Sequence, residues 1–122
     1  MSWAHAPAHK FEVGGTYMLT AGTYRKAQIL TTSAHLDYFT SLLQKRAAQF
    51  NFELQAWAVF SNHYHCVLQH CGAQLYDLQD MIKRLHGQSA IEFNRMDNKP
   101  GRKVWFQFWD TLLTDERLGS HV

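Results

Sequence analysis

Two residues, Ser61 and Asn62, separate two runs whose side chains alternate in the pattern of β-strands. The first run spans residues 52–60 and the second spans residues 63–69. A connection this short can join only antiparallel neighbours, because parallel strands need a crossover of about a dozen residues or more. The chain is therefore expected to contain a sheet built around this hairpin.

Further elements flank the hairpin on both sides. Residues 16–23 alternate like a strand, and apolar residues recur at helical spacing over 33–50 and 74–96. Ser33 is the expected N-cap of the first helix. Residues 103–113 are rich in aromatic side chains and predict one or two closing strands. The order β-α-β-β-α-β predicts an α+β, ferredoxin-like or RRM-like fold with an antiparallel sheet and two helices on one face.

The bulk properties fit a single domain over residues 1–122, in which residues 1–13 form a polar arm. Hydrophobic residues make up 46% of the chain, yet no stretch approaches the ~20 apolar residues of a membrane span. Two cysteines without a framework spacing are typical of a reducing compartment, so we expect a cytoplasmic protein with no membrane partner. The net charge of +2 permits nucleic-acid binding without requiring it.

The strand after the turn carries a His-Tyr-His segment. Side chains alternate between the faces of a strand, so His63 and His65 project to one side and Tyr64 to the other. Two imidazoles at this spacing predict a metal-binding pair, and the same alternation excludes Cys66 and His70 from it. A pattern this short also fits two histidines on a solvated sheet face, and both interpretations stay open.

Basic residues cluster in the second half of the chain, and the only acids among them are Glu92 and Asp97. The cluster consists of Lys83, Arg84, Arg95, Lys99, Arg102 and Lys103. It predicts either a phosphate-binding surface or a solvated helix face with the loop that follows it.

Several stretches in the same order resemble one family of enzymes. Residues 60–65, reading Phe-Ser-Asn-His-Tyr-His, resemble its motif strand. Residues 15–20 resemble the family's first strand. Its second helix is similar to residues 81–95, and its closing aromatic strand is similar to residues 103–110. The family is the tyrosine transposases of the HUH single-strand nuclease superfamily, which includes REP-associated and insertion-sequence-200-like transposases.

The resemblance implies metal-dependent endonuclease chemistry on DNA. Such proteins bind a DNA hairpin and nick an adjacent single strand, with two histidines and a further polar residue holding Mg²⁺ or Mn²⁺ at the scissile phosphate. A tyrosine on a C-terminal helix attacks the phosphorus, and strand joining reverses that step in DNA transposition. For this chain the resemblance implies metal ligation by His63 and His65, a hairpin or single-stranded DNA partner, and a monomer or homodimer.

The nucleophile of the family has no counterpart in this sequence. No Tyr follows Tyr76, and the chain reaches Val122 without the helix that would carry one. Tyr24, beside Arg25 and Lys26, is the strongest substitute, although no sequence feature places it near the histidine pair. We therefore expect a C-terminally truncated transposase relative that binds DNA and is impaired in strand cleavage.

Contacts to DNA are expected from side chains near these motifs, namely Arg25, Lys26, Lys83, Arg84, Asn94, Arg95, Arg102, Lys103 and Trp105. Phe106, Phe108 and Trp109 are either further stacking surfaces or core residues. Two alternatives are a non-catalytic RRM-like nucleic-acid module and a degenerate metal-binding domain. The RRM-like alternative has no use for the histidine pair, and the glycine-and-aromatic pattern typical of an RRM does not occur here.

Overall fold

The structure, a computed structural model, describes residues 14–71 and 78–113. The predicted polar arm over 1–13 and the predicted start of the second helix lie outside the described residues. Within the described part, strands and helices follow the predicted order: β1 (Thr16–Thr23), α1 (Ser33–Gln49), β2 (Phe52–Val59), β3 (His63–His70), α2 (Leu78–Asp97) and β4 (Trp105–Leu113). A short 3-10 turn, Tyr24–Lys26, follows β1 directly. Neither of these helices is long and apolar enough to cross a membrane.

The strands form one antiparallel sheet in the order β2-β3-β1-β4. The predicted hairpin joins β2 and β3, and the Phe60 backbone N–H donates to the His63 carbonyl at 2.8 Å across its turn. Each helix connects two strands that are separated by one other strand, as in a split β-α-β arrangement. The predicted α+β, ferredoxin-like fold is therefore confirmed.

The N-cap of α1 is Thr32 rather than Ser33. Thr32 has an extended backbone with φ −118°, and its side chain accepts a hydrogen bond from the His35 backbone N–H at 3.2 Å. The sequence prediction was one residue late, because Thr and Ser both cap helices well and only the backbone geometry chooses between neighbours.

Asparagines end both helices by adopting left-handed backbone conformations. Asn51 follows α1 with φ 61° and Asn98 follows α2 with φ 54°. After α2 the Asn98 N–H donates to the Arg95 carbonyl and the Lys99 N–H donates to the Asn94 carbonyl, which is the Schellman pattern. Asn adopts the left-handed region more readily than other residues with a Cβ, so both helices end at a residue type suited to that conformation.

The two helices cover the same face of the sheet. Alternate residues of β1 and β3 are buried against the helices, and their neighbours are partly exposed on the opposite face. Phe39 of α1 packs on the Tyr64 ring at 4.9 Å between centroids, and His86 of α2 lies 2.7 Å from the Tyr64 hydroxyl. The opposite face, which no described helix covers, is called the open face below.

An ionic cluster joins the end of α2 to the start of α1 and to the turn before β4. The Asp97 carboxylate accepts hydrogen bonds from His35 Nε2 and from Arg102 Nη2, each at 2.9 Å. Thr32 Oγ1 lies 2.5 Å from His35 Nδ1 and holds the other side of that ring. Burial raises the pKa of Asp97, but the hydrogen bonds from Arg102 and His35 outweigh it, and the net pKa is lowered.

Replacing Asp97 by Asn should lower the free energy of unfolding by about 1.5–3 kcal/mol at neutral pH, since hydrogen bonds to charged groups contribute that much. Because the folded state lowers the pKa of Asp97, this stability is present above the ordinary value of 3.8 and is lost as the pH falls through the lowered value. Urea unfolding of wild type and variant at about pH 7 and about pH 2 measures the difference.

Glu92→Gln is the matched control for Asp97→Asn. The Glu92 carboxylate pairs with Arg95 at 2.6 Å, and the Arg95 side chain is 70% exposed. Loss of such a surface pair should change the free energy of unfolding much less, because solvent screens exposed charges. An Asp97→Asn effect no larger than this, or one that stays undiminished in acid, would contradict the structural role of the cluster.

Candidate functional site

His63 and His65 lie side by side on the open face of the sheet. Both are partly exposed, between buried neighbours of β3. Their ring centroids are 5.0 Å apart and the ring planes are inclined by 79°. Cys66 and His70 are buried on the helix side, as the alternation predicted. The structure thus brings together the two histidines of the predicted pair and separates them from the other His and Cys of the strand.

Each ring of the pair is anchored through Nδ1. His65 Nδ1 lies 2.8 Å from Thr20 Oγ1 of the neighbouring strand, and His63 Nδ1 lies 2.8 Å from Asn62 Oδ1 in the turn. An amide oxygen can only accept, so His63 carries its proton on Nδ1 in this arrangement. His63 then presents Nε2 as the coordinating nitrogen, and His65 does the same when the Thr20 hydroxyl accepts from its Nδ1–H; a second group of this kind orients a metal-ligating histidine.

Phe60 covers one side of the pair. Its ring stacks on His63 at 4.6 Å between centroids, with planes inclined by only 16°, and meets His65 edge-on at 6.2 Å. Burial, with a smaller contribution from the nearby His63, lowers the pKa of His65. The neutral form that metal coordination requires is therefore favoured at His65.

The donor set fits a divalent cation, but only in part. Two imidazole nitrogens suit Zn²⁺ or Ni²⁺ better than Mg²⁺ or Mn²⁺, which prefer oxygen ligands. Within residues 14–71 and 78–113, no group of three or more His, Cys, Asp or Glu side chains could hold a metal ion. An ion bound by this pair would draw its other ligands from phosphate oxygens, water or residues outside those ranges.

A hydrogen-bonded aromatic cluster lies directly behind the histidine pair. The Tyr64 hydroxyl and His86 Nε2 form a 2.7 Å hydrogen bond, and His86 stacks on the Trp105 indole at 4.6 Å between centroids. Trp105 Nε1 donates to Ser89 Oγ at 2.9 Å, and Ser89 Oγ donates to the Leu85 carbonyl at 2.7 Å. Burial lowers the pKa of His86 to about 3, so its ring is neutral and its Nε2 can accept a hydrogen bond from the Tyr64 hydroxyl. The cluster holds Tyr64, and with it the strand segment that carries both histidines.

Tyr64→Phe should lower the free energy of unfolding by about 1–3 kcal/mol, because it removes the hydroxyl and leaves His86 without that partner. Urea unfolding monitored by circular dichroism measures the change. Tyr38→Phe is the matched control: Tyr38 is only partly buried on α1, and its substitution should change stability by less than about 0.5 kcal/mol. Equal stability of Tyr64→Phe and wild type would show that the hydrogen bond does not hold the strand.

The structure divides the basic candidates between two places. One group surrounds the Tyr24 ring where β1 ends, and it consists of Arg25, Lys26 and Lys103. The other group occupies exposed positions on α2, and it consists of Lys83 and Arg84. Because α2 covers the face opposite the histidine pair, the first group is the better placed to share a ligand with that pair.

Three further candidates on α2 and its turn are engaged within the protein. The Asn94 side chain is buried, and its amide donates to the Arg102 carbonyl at 2.8 Å and accepts from Arg102 Nε at 2.9 Å. Arg102 also pairs with Asp97, and Arg95 pairs with Glu92 on the surface. The burial of Asn94 argues against base contacts by its side chain and gives it the role of holding the turn.

Trp105, the aromatic candidate for base stacking, lies in the core. It is 8% exposed, and its partner in the register of β4 on β1 is Thr23, which is also buried. Its neighbour Phe106 is 56% exposed. Burial argues against stacking by Trp105, and the accessible ring at the start of β4 is that of Phe106.

Sequence patterns did not identify Thr20, Asn62 or Phe60 as parts of the site. Thr20 meets His65 only through the register of β1 on β3, which is a long-range property. Asn62 lies in the turn and Phe60 directly precedes the turn, and their closeness to His63 in the sequence was the one local signal that could have suggested them.

A family model described as "Transposase IS200 like" matches residues 14–112. A solved REP-associated tyrosine transposase bound to a REP hairpin superposes with a TM-score of 0.72 at 19% identity, over 96% of this chain and 67% of that one. A presumed transposase from Deinococcus radiodurans R1 superposes with a TM-score of 0.65 at 20% identity, over 94% of this chain and 92% of that one. No curated protein matches at a significant level. The structural likenesses show the shared fold, and the family match, which covers most of the sequence, shows that the chain belongs to the IS200-like transposases.

Proposed function

We propose that this chain binds hairpin or single-stranded DNA and holds Mg²⁺ or Mn²⁺ at His63 and His65, for the strand nicking and joining of DNA transposition. The observation that carries the proposal is the pair of imidazoles on the open face, whose centroids lie 5.0 Å apart and which are each held through Nδ1. Membership of a transposase family supports it, and a relative of the same fold is bound to a REP hairpin.

The residues of the site have separate roles in this proposal. His63 and His65 would hold the ion, while Thr20 and Asn62 orient the imidazoles through their Nδ1 atoms. Phe60 shields one side of the pair from water. A bound divalent ion would act as a Lewis acid toward a phosphoryl oxygen and position the scissile phosphate.

Cleavage in this family, by the resemblance, also needs a tyrosine hydroxyl, and the described tyrosines serve this role poorly. Tyr17 and Tyr64 are fully buried on the helix side, and Tyr38 lies on α1 against Phe93. Tyr24 is held among cations at the end of β1. We therefore propose that the described part of the chain binds DNA and metal but is impaired in self-sufficient strand cleavage. Self-association into a homodimer stays a prediction.

Thr20→Val should weaken Mn²⁺ binding by about 10- to 100-fold, because it deletes the hydroxyl that orients His65 and keeps the side-chain shape. Isothermal titration of the purified chain measures the affinity. Thr16→Val is the matched control, since Thr16 is on the same strand and the same face but pairs with Gln69. The double variant His63→Ala, His65→Ala should abolish the binding; unchanged affinity in it would place the metal elsewhere.

A labelled DNA hairpin with single-stranded flanks tests the DNA-binding and cleavage parts together. The native-gel affinity should fall steeply with salt, and Lys103→Ala should reduce the slope of log affinity against log salt by about 0.7–0.9. Lys45→Ala, an exposed cation on α1 away from the open face, should leave the slope unchanged.

The same samples, incubated with Mn²⁺ and resolved on a denaturing gel, report on cleavage. Binding without a covalent protein–DNA band supports the impaired transposase. A covalent band that disappears in the His63→Ala, His65→Ala variant would overturn the impairment and point to a tyrosine within this chain. Metal binding without DNA binding at low salt would favour the degenerate metal-binding domain, and metal-independent DNA binding would favour the RRM-like module.

A further inference from the structure

A small cavity of about 240 Å³ lies where β1 ends and β4 begins, and the histidine pair does not line it. Its walls come from the 3-10 turn and from Phe106, and Lys103 lies over its aromatic rings. We call this cavity the Tyr24 pocket. Its volume is below the ~300–1,000 Å³ of pockets for drug-sized ligands, so it fits one flat ring system rather than a larger molecule.

The aromatic wall of the pocket is unusually accessible. Phe106 is 56% exposed, although Val104 and Trp105 immediately before it are buried. The Tyr24 ring supports Phe106 edge-to-face, with centroids 6.1 Å apart and planes inclined by 61°. This geometry holds the Phe106 ring in place and leaves much of its surface in water, which is the arrangement of a stacking platform.

Cations surround these rings. The Lys103 ammonium lies 4.6 Å from the Tyr24 centroid and 5.8 Å from the Phe106 centroid, and the Arg25 guanidinium lies 5.1 Å from the Tyr24 centroid. Lys26 also lines the cavity, and no acidic side chain is among its described lining residues. Aromatic faces combined with unopposed positive charge favour a ligand that has both a planar ring and a phosphate.

The backbone under the cations has an uncommon conformation. Arg25 and Lys26 are consecutive non-glycine residues in the left-handed region, with φ 55° and 56°. Hydrogen bonds from Thr23 Oγ1 to the Ala27 carbonyl at 2.8 Å and from Asn62 Nδ2 to the Lys26 carbonyl at 3.4 Å hold the turn. Such conformations persist where surrounding contacts impose them, and here they keep both cations at the rim of the pocket.

The pocket adjoins the histidine pair. Gly22 of β1 lies opposite His63, and Tyr24 follows two residues later, a distance of roughly 7 Å along a strand. The turn residue Asn62 contacts both places, since its Oδ1 meets His63 and its Nδ2 meets the Lys26 carbonyl. A strand of DNA with a phosphate at the histidines could therefore place a neighbouring nucleotide in the pocket.

We propose that the Tyr24 pocket binds one unpaired nucleobase of single-stranded DNA, stacked on Phe106, while Lys103 and Arg25 neutralise the adjoining phosphates. The inference rests on the proposed function and deepens it, because it assigns the place where a single strand is gripped. Tyr24 then has a binding role, as the ring that supports Phe106, and is not the nucleophile.

Phe106→Leu tests the proposal, because leucine keeps an apolar side chain but cannot stack a base. The variant should bind a hairpin with a single-stranded flank roughly tenfold more weakly than wild type, and should bind the same hairpin with blunt ends equally well. Trp57→Leu is the matched control, since Trp57 is 45% exposed on the edge strand β2, away from the pocket. Fluorescence anisotropy measures the affinities, and a thermal melt shows that each variant folds.

An abasic scan of the flank completes the test. One abasic position should weaken wild-type binding roughly tenfold and should weaken Phe106→Leu no further, because the stacking partner is already missing. Equal binding of the flanked hairpin by Phe106→Leu and wild type, or an equal loss on the blunt hairpin, would overturn the pocket while leaving the proposed function intact. A single-stranded oligonucleotide without a hairpin tests the pocket separately from hairpin recognition. Phe106-dependent binding to it without hairpin binding would support the pocket and refute hairpin recognition.

Discussion

The antiparallel register between β1 and β3 determines which side chains meet the helices and which meet solvent. Thr20 lies opposite His65, and its neighbours in the register, Leu19 opposite Cys66, are buried. Because strand side chains alternate, a slip of one residue would carry the histidines under the helices. The site therefore depends on the core packing that fixes this register as well as on the histidines themselves.

Tyr64 links the two faces of the sheet. Its ring fills the space between Phe39 and Trp105 on the helix side, and its backbone sets the spacing of the histidines on the open side. Burial raises the pKa of Tyr64 and lowers that of His86, so the pair is a neutral hydrogen bond rather than a buried ion pair. Such a bond fixes a side chain without the desolvation cost of buried charge.

Local patterns predicted the element order, the hairpin and the separation of the histidine pair from Cys66, because strand alternation and helical spacing are short-range properties. The same patterns placed the cap of α1 one residue late and offered Trp105 as a stacking surface. The burial of Trp105, which argues against stacking, has a clear cause: within an aromatic run such as residues 105–109, the register of β4 on β1 decides which ring is buried. The exposed ring is Phe106, and composition alone could not distinguish it from its neighbours.

The sequence by itself determined the order of strands and helices and the two imidazoles on one side of a strand. Tertiary structure alone decided that Thr20 orients His65, that Asn94 and Arg102 hold a turn, and that Arg25 and Lys103 converge on Tyr24. These contacts join residues from different elements, so they exist only after strands have paired and helices have packed. Alternation and capping act within a few residues and can be read directly, whereas a binding surface depends on register and packing across the whole domain.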